Sequence, residues 1–87
     1  MSTTKEHIAV YIEFFGAFRE YGTGVELSLE SGCRAEQVKL ALESTIGSGA
    51  ANLLTHSVLA DEEQILGPDW QLDKPAHLAI LPPVSGG

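Results

Sequence analysis

The chain has 87 residues, 44% of them apolar and 20% charged, and carries a net charge of -7. That length supports one domain with one compact core and leaves no room for a deep, enclosed active site. Five Lys and Arg against twelve Asp and Glu exclude nucleic acid as a partner, because phosphate contacts need cations, and favour partners with basic surfaces.

Residues 7–15, HIAVYIEFF, alternate with period two and are rich in β-branched and aromatic side chains, which predicts a strand. Ile8, Val10, Ile12 and Phe14 form a wholly apolar face, and Tyr11, Glu13 and Phe15 the other. GAFREYGTG follows with three glycines and reads as a loop. VELSLE alternates again, so a second strand is expected as the hairpin partner of the first. In SGCRAEQVKLALESTIG, Val38, Ala41, Leu42, Thr45 and Ile46 recur at helical spacing. Ser31 or Cys33 is the expected cap, Glu36 follows Cys33 at capping-box spacing, and Gly47 is the expected stop.

SGAANLLTH reads as a loop or short helical turn burying Leu53 and Leu54. SVLADEEQI predicts a third strand at 57–60 and an acidic turn at Asp61, Glu62 and Glu63. LGPDWQLDKPAH, with two prolines, predicts turns and at most one very short strand. HLAILP is a mostly apolar last strand, as expected of a central position. The first and last strands should lie side by side and, with a helix between them, parallel. The expected fold class is α+β: a β-grasp, as in ubiquitin, with a mixed sheet of four or five strands and one main helix on one face. Residues 1–81 would form this domain and 82–87 a flexible tail.

The tail, LPPVSGG, carries the chemistry. Pro82 and Pro83 favour an extended path. Gly86 and Gly87 lack a Cβ and fit a channel too narrow for side chains. The reactive group at the tip is the α-carboxylate of Gly87, a poor electrophile until an ATP-dependent enzyme adenylates it.

Two stretches carry a family likeness. Phe14-Phe15-Gly16-Ala17-Phe18-Arg19-Glu20 and the ending Pro82-Pro83-Val84-Ser85-Gly86-Gly87 resemble the small, sulfur-carrying subunit of molybdopterin synthase. The chain departs from that family at Asp73-Lys74-Pro75, where Asp-Gly-Asp is common, and at Asp61, where Asn is common; 47–57 is only loosely related. The resemblance implies a carrier that is no enzyme alone and binds no cofactor. An E1-like activating enzyme would consume ATP to adenylate Gly87, and a sulfur donor such as a cysteine desulfurase would convert it to a thiocarboxylate. The tail would then enter the large catalytic subunit of a heterotetrameric synthase and give its sulfur to cyclic pyranopterin monophosphate in molybdenum cofactor biosynthesis. Alternatives are a related carrier for thiamine, cysteine or tRNA thiolation, a ubiquitin-like protein modifier, and a structural domain with an inert tail.

Period two sends Tyr11, Phe15, Ala79 and Leu81 to the sheet face away from the helix, so Tyr11, Phe15, Leu81 and the tail residues Pro82, Pro83, Val84 and Ser85 are the expected partner contacts. The acidic turn is a solvated turn or a match for a basic patch on the activating enzyme. Trp70 is expected to cap the edge of the core. Cys33, the single cysteine, allows no internal disulfide; at a helix start it would favour a thiolate, although lone cysteines mostly pack. His7, His56 and His77 are scattered, and no metal site is expected. The polar opening MSTTKEH is no signal peptide, no run nears the ~20 apolar residues of a membrane span, and the cytoplasm is the expected compartment.

Overall fold

Alternation builds the centre of the molecule. In the computed structural model, which describes residues 6–82, β1 (His7–Phe14) buries Ile8, Val10, Ile12 and Phe14. A six-residue 3-10 helix follows at Gly16–Tyr21, where the sequence predicted only a loop. Its anchor is Phe18, fully buried with its ring tilted 43° against Phe14. β2 (Gly24–Glu30) returns antiparallel to β1, setting Leu27 opposite Val10 and Val25 opposite Ile12.

A two-residue strand, β3 (Cys33–Arg34), leads into α1 (Ala35–Ile46). The helix starts later than Ser31 or Cys33 would place it, and the box partners are Arg34 and Gln37 rather than Cys33 and Glu36. The Arg34 amide donates to the Gln37 side chain at 2.8 Å. The next free amides, of Ala35 and Glu36, donate to the carbonyls of Trp70 and Pro68 at 2.8 and 3.3 Å. A distant loop thus satisfies donors that a Ser or Thr cap usually takes. Gly47 ends the helix as expected. Val38 and Leu42 are buried, Ala41 and Ile46 half-buried; Thr45 is exposed and donates back to the Ala41 carbonyl.

A 3-10 turn at Ser48–Ala50 and the short helix α2 (Ala51–Thr55) follow. Leu54 is buried there, whereas Leu53 is only half-buried. β4 (Val58–Ala60) comes next, then a turn in which the Asp61 carboxylate accepts from the amides of Glu63 and Gln64, both at 2.8 Å. A short strand not expected from the sequence, β5 (Ile65–Leu66), closes the acidic turn, and the stretch read as turns with one very short strand holds β6 (Gln71–Leu72). β6 pairs with β3 outside the main sheet. Trp70 is 42% exposed, and its carbonyl accepts from the Ala35 amide at the start of α1.

β7 (Ala76–Leu81) completes the main sheet, whose order is β2-β1-β7-β4-β5. β7 runs parallel to β1, with Leu78 level with Ile12 and Ile80 with Phe14, and antiparallel to β4. The parallel pair needs a crossover, and α1 supplies it. Five strands, first and last adjacent and parallel, with one main helix on one face, are the β-grasp layout the pattern predicts.

Candidate functional site

Period two along β1 and β7 leaves one sheet face without a helix. Tyr11 and Glu13 come from β1, His77, Ala79 and Leu81 from β7, all half-buried or exposed. The parallel register puts Tyr11 level with His77. Their rings meet edge to face, centroids 4.9 Å apart, and His77 Nε2 lies 3.2 Å from Glu13 Oε1. Both side chains are partly exposed to solvent, so this contact contributes little to stability. Phe15 extends the face past the end of β1, and the Arg19 guanidinium sits 5.8 Å from its ring centroid, within cation–π range.

A shallow groove of about 320 Å³ crosses this face, lined by Glu13, Phe15, Asp61, Glu62, His77 and Ala79. Its lining combines the carboxylates of Glu13, Asp61 and Glu62 with apolar Phe15 and Ala79, which suits a protein surface that carries both basic and apolar groups. Asp61 is a turn-builder here, while Glu62 and Glu63 remain exposed.

Of the predicted contacts, Tyr11, Phe15 and Leu81 stand half-buried on this face, and Leu81 lies opposite Val58 of β4. Pro82 is half-buried and packs at Gly16. Pro83, Val84, Ser85, Gly86 and Gly87 lie outside the described residues. Sequence reasoning placed Glu13 on this face but missed Arg19 and His77 as members of it. The signal for His77 was present, since it precedes Ala79 and Leu81 at steps of two.

Cys33 is not an exposed thiolate. It is 8% exposed in the core. Burial pushes its thiol up, opposed by a backbone hydrogen bond and reinforced by Asp73 and Glu30. Ellman's reagent at pH 8 is therefore expected to react at least tenfold more slowly with the folded chain than with the urea-unfolded chain; equal rates would show an accessible thiol. Among the described residues no three His, Cys, Asp or Glu side chains gather as a metal site, and no helix is long and apolar enough to cross a membrane.

No protein-family description matches the sequence, and no curated protein is similar to it. Solved structures are similar in shape. The HVO 2177 protein of Haloferax volcanii has a TM-score of 0.79 at 21% identity, over 100% of this chain and 93% of its own. A protein described as molybdopterin converting factor, subunit 1, from Pyrococcus furiosus has a TM-score of 0.73 at 16% identity, over 88% and 99%. The small archaeal modifier protein 1 of Methanosarcina acetivorans has a TM-score of 0.73 at 22% identity, over 94% and 99%. The fold is the ubiquitin-like β-grasp. At these identities the likeness is one of fold, and function has to be argued from the face and the chain that leaves it.

Proposed function

We propose that this β-grasp domain is a sulfur carrier for molybdenum cofactor biosynthesis, with Gly87 as the residue that bears the sulfur. One observation carries the reading: β7, inside the sheet, ends at Leu81 beside the uncovered face and hands the chain to Pro82 and on toward Gly86 and Gly87. The likeness to a molybdopterin converting factor subunit supports it. An E1-like adenylating enzyme joins the Gly87 carboxylate to AMP and releases pyrophosphate from ATP. The persulfide of a sulfur donor then attacks the acyl carbon and displaces AMP, and a thiol reductant cleaves the resulting acyl disulfide to leave a thiocarboxylate. The body, residues 6–82, docks through its uncovered face, and 83–87 reaches the acceptor site of the large synthase subunit. There, burial shields the thiocarboxylate from water. The work belongs in the cytoplasm, where ATP and the activating enzyme meet.

The likeness to an archaeal modifier protein favours a second reading, in which the same adenylate is passed to a lysine of another protein. Incubation with ATP, an E1-like enzyme, a cysteine desulfurase, L-cysteine and a thiol reductant separates the two. The carrier reading expects a mass gain of one sulfur for one oxygen, confined to the C-terminal peptide. A covalent conjugate through a target lysine instead supports the modifier, and no change in mass overturns both.

The docking face gives a further expected result. Leu81→Asp puts a carboxylate on the uncovered sheet face beside the tail's root and is expected to weaken binding to the large synthase subunit by about 2 kcal/mol or more, the range of an interface hot spot. Because Leu81 is half-buried, the variant should still fold. Unchanged affinity by calorimetric titration, or simple unfolding, would mean that the face is assigned wrongly.

A further inference from the structure

Gly16 is where the loop after β1 meets the root of the tail. Its φ is +57°, in the left-handed region that L side chains avoid. A Cβ built on it would stand 2.6 Å from Pro82 Cγ and 3.4 Å from Pro82 Cδ. The first is a distance no real contact shows, and the atom it meets belongs to a closed ring that cannot swing aside. Two separate constraints, backbone conformation and close approach, therefore fall on one residue. The ground under it is firm. Phe14 is the last residue of β1, and its amide donates to the Thr23 carbonyl at 3.0 Å. The Phe18 amide donates to the Phe15 carbonyl at 3.1 Å, and the Phe18 ring is fully buried beneath the turn.

We infer that Gly16 is a positioning residue: its bare backbone is the seat on which the Pro82 ring rests, and this seat sets the direction in which the chain leaves the domain. The inference rests on the carrier reading for what the direction serves. A ring fixed in φ on a fixed seat sets the point and direction from which the chain beyond Pro82 starts, which favours delivery of Gly87 to the activating enzyme's nucleotide. A side chain at 16 would tilt Pro82 and redirect everything after it. Docking of the body would be untouched, so the cost falls on turnover rather than on capture.

The experiment measures ATP–pyrophosphate exchange by an E1-like adenylating enzyme, with the carrier as the varied substrate. Gly16→Ala is expected to lower kcat at least tenfold while KM changes less than threefold. Gly22→Ala is the control for backbone strain: Gly22 has φ +125°, and nothing lies within 4 Å of its added Cβ. It is expected to lower the melting temperature yet keep wild-type kcat. Gly16→Ala combined with Pro82→Ala is expected to lose no more than the worse single variant, because both act on one contact. Should Gly16→Ala keep kcat within twofold of wild type, should Gly22→Ala lose as much, or should the two losses multiply, the seat has no positioning role. If Gly16→Ala fails to fold, D-alanine at 16 in a synthetic chain settles the matter. It accepts positive φ and carries its methyl on the other side of Cα from the position that meets Pro82, so wild-type kcat is expected, and a tenfold loss overturns the inference. If the wild-type chain supports no exchange, the carrier reading falls and this inference with it; if the wild type is active and the variants match it, only this inference falls.

Discussion

Adding one alanine after Gly87 is expected to abolish sulfur loading, with at least a hundredfold loss in the rate at which the carrier gains sulfur for oxygen. The root of the tail is held at Pro82 against Gly16, so the distance from that root to the carboxylate is set by chain length. Six residues from Pro82 to Gly87 span at most roughly 20 Å at about 3.3 Å each. One more residue moves the carboxylate by about 3.3 Å. Reacting atoms have to stand about 3–3.5 Å apart, and a misplacement of about 1 Å can cost a hundredfold. Gly87→Ala should fail by a second route, because a Cβ enters the channel that the two glycines are suited to. Neither change touches the core of residues 6–82, so both variants should keep the wild-type circular dichroism spectrum and melting temperature. Intact mass checks the result and also reports whether a protease has trimmed the extension. A full mass gain on an untrimmed extended chain would sink the carrier reading.

The sheet was legible because its signals are local. Ile8, Val10, Ile12 and Phe14 alternate without a break, and Leu78 and Ile80 repeat the pattern, so the buried face and the central strand pair followed from period two. What the sequence hid depends on partners far along the chain. Arg34 is a poor cap by residue type, and α1 starts there because the carbonyls of Trp70 and Pro68 arrive from another segment. β3 and β6 are two residues each, too short for any periodicity to register. Phe18 sits among three glycines and two charges in GAFREYGTG, a composition that signals a loop and conceals one fully buried ring. In the candidate site, Tyr11, Phe15 and Leu81 could be assigned to one face by counting in twos. The Glu13–His77 pair and the Gly16–Pro82 contact could not, because each joins residues more than sixty positions apart and appears only once β1 and β7 are in register.

Phe18→Ala is expected to be the most damaging single change in the loop after β1. The ring is 0% exposed and rests against Phe14, itself 1% exposed, so truncation leaves a cavity that its neighbours fill only partly. Phe→Ala changes in cores cost about 3–5 kcal/mol, against a total of about 5–15 kcal/mol for a domain. In a chain of this length that lowers the melting temperature by about 15 °C or more. The loss also reaches the tail. Phe18 lies under the turn that carries Gly16, and with the ring gone the Pro82 seat loses its support. Sulfur loading by Phe18→Ala should therefore fall even at temperatures where circular dichroism shows the variant folded. Phe18→Leu, which refills much of the cavity, should recover most of both losses together. Thermal melts and loading rates on the two variants check this; recovery of stability without recovery of loading would show that the aromatic ring serves the tail through something other than its bulk.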